Sequence, residues 1–145
     1  VTVADFEKSM ACLLAWREER SNGVNGMLGV LFVVRNRARA GWSQGSWSKI
    51  IESHNQFSSM SVVGDSQTVA YPDLDVRDPG FLQILQIVDS VYDDTRPDLL
   101  TNGALYYADL NSASYTKGGW FDRNIMQDPA RHPRAAQIGS TSYFK

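Results

Sequence analysis

Apolar residues recur with a helical period through the first two thirds of the chain. From Phe6 to Arg20, at about 100° per residue, Phe6, Met10, Leu13 and Leu14 fall on one face, which predicts an amphipathic first helix. Thr2 with Asp5 three residues on resembles a capping box and would start this helix near Val3; Ser21-Asn22-Gly23 would end it. Asn25 can cap the next helix. Met27 to Val34 is almost entirely apolar, too uniform for a surface helix, and its continuation through Arg35-Asn36-Arg37-Ala38-Arg39-Ala40 favours a buried central helix over a buried strand. Three arginines in its last turns suit the negative end of the helix dipole.

Gly41 stops the central helix. A short helix is predicted from Ser46 to His54, with Trp47, Ile50 and Ile51 inward. Residues 59–77 are polar and turn-rich around a possible strand at Met60 to Val63, and long irregular segments of this kind are commonly functional. Asp78-Pro79 is a strong helix start, and the helix running from there to about Asp94 would bury Phe81, Leu82, Leu85, Val88 and Tyr92 before Pro97 ends it. The last third changes character. Ala104 to Ala108 reads as a short aromatic strand or extended piece, and strand signals return from Ala136 to Phe144. Helices early and extended pieces late, without βαβ alternation, predict a single α+β domain over 1–145, predominantly helical with a few short strands.

The 145 residues suit one domain. Net charge is −2, and eight aspartates crowd between Asp65 and Asp98, so no broad basic field exists to hold nucleic acid. The single cysteine, Cys12, excludes an internal disulfide and reads as a small packing residue. His54 and His132 lack the paired spacing of a histidine-built metal site, so neither metal nor cofactor is expected. No apolar run approaches the ~20 residues that span a bilayer, and no charged-then-apolar leader opens the chain. A monomer without a membrane span is expected.

Glutamate is scarce: Glu7, Glu18, Glu19 and Glu52 are all there are. Glu7 lies near a helix start, where the dipole favours its ionised form, and Glu52 lies on a short surface helix. Glu18 comes one turn after Leu14 on the edge of the apolar face and is expected to be partly buried. Glu19 is carried to the opposite side with Lys8 and is expected in solvent. Desolvation raises a carboxyl pKa, and a carboxylic acid still protonated near neutral pH is what glycoside cleavage requires, so Glu18 is the candidate general acid. The spacing alone leaves open a solvated Glu18 paired with Arg17 or Arg20.

From Glu18 onward the chain resembles the SleB-type cell-wall hydrolases, peptidoglycan lytic transglycosylases related in fold to goose-type lysozymes. The shared positions are Glu18 and Arg20, Gly26 before the central helix turns apolar, and Asn36-Arg37 closing it. Further along they are Gln56-Phe57-Ser58, Ala104-Leu105-Tyr106-Tyr107, Trp120, Ile138-Gly139 and the final Tyr143-Phe144. The chain departs from the pattern in two places. Ser21-Asn22 stands where the family commonly has Gly-Glu, and Thr141 stands where it has a histidine.

The resemblance implies a lysozyme-like fold and cleavage of the MurNAc-GlcNAc β-1,4 bond. Glu18 would act first as acid and then as base on the muramic acid 6-hydroxyl, leaving a 1,6-anhydro end. Gln56, Ser58, Tyr106 and Tyr107 would line the saccharide groove. One of the two tyrosines alternates inward as core, Trp42, Trp47 and Trp120 read as core, and Asn36 and Arg37 read as fixing the end of the central helix. The partner would be peptidoglycan glycan strands, met at the cell wall by secretion, in the periplasm or by phage delivery. Two other classes compete: a hydrolytic muramidase using Asp65, Asp73 or Asp75, and a non-catalytic glycan-binding module of a phage or envelope particle.

Overall fold

The computed structural model describes residues 2–53, 79–111, 115 and 117–145. Among them run helices α1 (Val3–Glu19), α2 (Gly23–Arg39), α3 (Trp47–Glu52) and α4 (Pro79–Tyr92). Strands β1 (Tyr106–Ala108), β2 (Arg134–Ile138) and β3 (Thr141–Phe144) come after them. The strands form one antiparallel sheet in the order β1-β3-β2. This is the mostly helical α+β architecture that the pattern predicts. The expected strand at Met60 to Val63 lies outside the described residues, as do Gln56 and Ser58. No helix among the described residues is long and apolar enough to cross a membrane.

α1 begins at the capping box: the Asp5 N–H donates to the Thr2 hydroxyl at 3.0 Å and the Thr2 N–H to the Asp5 carboxylate at 3.2 Å. Its inner face differs from the expected one. Ala11, Cys12, Leu14 and Ala15 are buried, whereas Phe6 is 50% exposed and Met10 and Leu13 lie at the border. Small residues let α1 approach both α2 and α4, and a count of large apolar side chains misses that face. Lys8 shares the inner side and pairs with Asp89 at 3.0 Å and Asp93 at 3.1 Å. Glu7, placed by the sequence near an open helix start, is buried. It accepts from the Tyr92 hydroxyl and the Ser48 N–H, both at 2.7 Å, and so ties α1 to α3 and α4. Burial and that bond push the Tyr92 phenol up to about 12.

α2 is the central element, with every residue from Gly26 to Arg35 buried. It starts at Gly23, four residues earlier than the apolar run, because Gly23 adopts a positive φ of 72° that reverses the chain directly into the helix; Asn25 lies inside it and not at its cap. α4 turns Ile84, Ile87, Val88 and Val91 inward. Leu82 is 43% exposed, and Phe81, Leu85 and Tyr92 are only half-buried. α4 carries two adjacent apolar stripes, and the β-branched one is the stripe that packs.

The far end of α2 is fastened as expected of Asn36 and Arg37. The Asn36 amide donates to Asp98 at 3.2 Å and to the Ala104 carbonyl at 3.0 Å, and Arg37 Nε donates to the Leu105 carbonyl at 2.7 Å. Arg37 lies over the Trp42 ring at 4.6 Å, and burial pulls its guanidinium down to about 10. Trp47 is buried and Trp42 half-buried, but Trp120 is 60% exposed and is not core.

β3 is the middle strand, buried along its whole length. It packs against α2 at Gly29, where a Cβ would overlap the Tyr143 hydroxyl and come within 2.8 Å of the ring carbon that carries it. Alanine at an ordinary helical glycine gains up to about 1 kcal/mol. Here Gly29→Ala should instead destabilise by about 1–3 kcal/mol in urea unfolding, the usual range for overpacking. The loss should shrink when Tyr143→Phe is combined with it. A stabilised Gly29→Ala would mean that Tyr143 moves aside freely.

Candidate active site at the end of the first helix

Glu18 lies one turn beyond Leu14 and Glu19 one turn beyond Ala15, so both carboxylates project toward the protein. Their surroundings differ. Glu18 is half-buried, as expected, but Glu19 is 1% exposed, which overturns its placement in solvent. The wheel correctly groups Glu19 with Lys8. The expectation fails because that side of α1 faces inward.

At Glu19 the backbone leaves helical geometry, with φ −136° and ψ 8°, and enters the 3-10 turn Arg20–Asn22. The side chain is held from that turn: the Asn22 amide donates to Glu19 Oε2 at 2.6 Å. The same amide nitrogen lies 3.2 Å from the Thr141 hydroxyl and 3.4 Å from that of Ser140, while Asn22 Oδ1 accepts from the Ser140 N–H at 3.3 Å. Asn22 therefore joins the end of α1 to the turn between β2 and β3. Two glycines give it room. A Cβ at Gly26 would lie 2.5 Å from the Asn22 Cβ and 3.2 Å from Glu19 Oε2, and a Cβ at Gly139 would overlap Asn22 Oδ1.

Burial raises the Glu19 pKa, opposed by hydrogen bonds from Asn22 and Thr141 and reinforced by the charges of Glu18 and Asp109. The buried Tyr143 hydroxyl is pushed far up, first by burial and then by the charge and hydrogen bonding of the Glu19 carboxylate beside it. Tyr107 stacks on Tyr143 with ring centroids 5.9 Å apart. Its phenol is raised well above the ordinary value, first by its packed surroundings and then by the charge of Glu18.

β1 thus sets Tyr107 against Tyr143, within reach of the Glu18 charge. Tyr106, its neighbour on β1, takes the other face by strand alternation. It packs between the rings of Trp42 at 5.8 Å and His132 at 5.1 Å. The two tyrosines do not line one wall together. Gln56 and Ser58, expected to complete the groove, lie outside the described residues.

Glu19, Asn22 and Thr141 are site residues to which the sequence reading gives no role, and Tyr143 enters that reading only as part of the final aromatic pair. A signal for two of them is present: the positions where the chain departs from the SleB-type pattern, Asn22 and Thr141, are in contact and share one carboxylate. Among the described residues no three of His, Cys, Asp and Glu gather as metal ligands would. No family model, curated protein or solved structure matches the chain.

The Glu19 environment sets a pH dependence of stability. A carboxyl whose pKa is raised on folding binds more protons in the folded state than in the unfolded one. Its stabilising contribution is therefore full below the ordinary value of 4.5 and is lost as pH rises through the raised value. Urea unfolding of the natural chain and Glu19→Gln from about pH 7.5 to about pH 4 should show their stability difference moving in favour of the natural chain as pH falls. A difference that stays flat would place Glu19 in solvent.

Proposed function

We propose that the chain cleaves peptidoglycan glycan strands at the MurNAc-GlcNAc β-1,4 bond as a lytic transglycosylase, with Glu18 as its catalytic residue. One observation carries this reading. The helix ends in two adjacent carboxylates, of which one is sealed into the protein and the other is left partly exposed, with Tyr107 near enough to feel its charge. A group that exchanges protons with substrate must reach it, and Glu18 meets that requirement where Glu19 does not.

In this reading Glu18 in its acid form protonates the bridging oxygen, and the bond to the muramic acid anomeric carbon breaks with oxocarbenium character. Glu18, now ionised, takes the proton of the muramic acid 6-hydroxyl. That oxygen closes onto the anomeric carbon, and the product carries a 1,6-anhydro ring. Proton and electron pairs balance through one carboxyl group, without a second carboxylate or water. Tyr107 donates a hydrogen bond to the carboxylate or to a sugar oxygen next to it, which favours the ionised half of the cycle. Tyr106, with Trp42 and His132, offers an aromatic surface on the other side of β1 for a sugar face.

Mass spectrometry of wall digests tests the reaction. Products lighter by one water than those of a hydrolytic muramidase are expected. Reducing ends alone would replace the transglycosylase by a hydrolase, with Asp109, whose charge already reaches Glu19, joining Asp65, Asp73 and Asp75 as candidates for the second carboxylate. Binding to walls with no soluble product would leave the glycan-binding module.

A further inference from the structure

We propose that Glu19 is a positioning residue for Glu18: through Asn22 its buried carboxylate clamps the last turn of α1 to the β2–β3 turn and fixes where the Glu18 carboxyl is presented. The inference rests on the glycosidase reading above and assigns a role to a residue that never touches substrate.

The need for such a clamp comes from the backbone. The last carbonyls of a helix have no partner within it, and the final turn frays unless something outside holds it. Helical geometry is lost at Glu19, one residue after Glu18, so the direction of Glu18 depends on what secures the turn beyond it. That turn is secured by the path from Glu19 Oε2 to the Asn22 amide at 2.6 Å, and from Asn22 to Ser140 and Thr141 at 3.2 to 3.4 Å. The path ends on β3, the strand whose pairing with β1 sets Tyr143 opposite Tyr107. Glu18 and Tyr107 are thus located from the same strand by two routes. The space is prepared for it, since side chains at Gly26 or Gly139 would displace Asn22. A bare surface carboxylate would need none of this construction, and an apolar residue would serve if only packing were at stake.

The test is steady-state wall digestion by the natural chain, Glu19→Ala, Glu19→Gln, Asn22→Ala and the Glu19→Ala/Asn22→Ala pair, each first verified as folded by circular dichroism. Misplacement of a catalytic group by about 1 Å costs up to ~100-fold, so Glu19→Ala should lower kcat by about 10- to 100-fold while KM stays within about twofold. Glu19→Gln keeps an acceptor for Asn22 and should recover most of the loss. Asn22→Ala should reproduce it, and the pair should be no worse than either single variant, because the two act as one unit. Should Glu19→Ala not fold, Asn22→Ala carries the same test. A natural chain that digests walls alongside an equally active Glu19→Ala overturns the clamp alone, as does an additive double variant. A natural chain that leaves walls intact overturns the glycosidase reading and the role of Glu19 with it.

Discussion

A carboxylate sealed almost completely from water at the end of α1 is the constraint around which this end of the fold is built. An ionised group without partners in such a place would cost several kcal/mol, so the surrounding residues are committed to it. Asn22 donates, Thr141 donates, and Gly26 and Gly139 lack the side chains that would push Asn22 away. The chain reversal at Gly23 is required at once, because the turn that carries Asn22 must be short enough to bring the amide back to Glu19. In the proposed reading the two neighbours divide the labour. Glu19 is committed to architecture, and Glu18 stays partly exposed, where the proposal has a glycan meet it.

The rest of the molecule supports that corner from a distance. α2 runs through the core as a fixed axis, with Asn36 and Arg37 binding the segment that leads into β1 at one end and Gly26 and Gly29 admitting Glu19 and Tyr143 at the other. Tyr143 and Tyr107 stack on one another, and the burial that raises both phenols is the one that desolvates Glu19. Glu7, bonded to Tyr92 and Ser48, does the corresponding work at the other end of α1. Both buried glutamates of α1 are therefore ties between elements, and Glu18 is the one left partly open.

Element types are readable from the sequence because their signals are local: a capping box, a uniformly apolar helix, Asp-Pro before α4, paired aromatics in β1. Helix phase is harder. α1 packs through Ala11, Cys12 and Ala15, and α4 through a β-branched stripe beside a stripe of leucines and phenylalanine, so the largest side chains do not mark the inner faces. The pattern misplaces Glu19 for that reason, although its helical phase with Lys8 is right. Glu18 stands out by its spacing from Leu14, which holds whichever face is inner. The partners Thr141 and Tyr143 lie more than a hundred residues away from Glu19, and no local pattern reports a contact made by sheet pairing. Tyr106 and Tyr107 illustrate the same limit. Adjacent in sequence and alike in chemistry, they are separated by the pleat of the strand into different neighbourhoods.

The most direct measurement is the wall-clearing activity of Glu18→Gln compared with the natural chain, at matched circular dichroism. The substitution keeps the shape of the side chain and removes only its proton. General acid-base groups contribute about 100- to 10,000-fold, and a residue serving both steps should lie at or above the top of that range. Loss of that size with the fold intact is the predicted result. A folded Glu18→Gln that clears walls at an undiminished rate would contradict the account, because no chemistry assigned to the end of α1 could then stand.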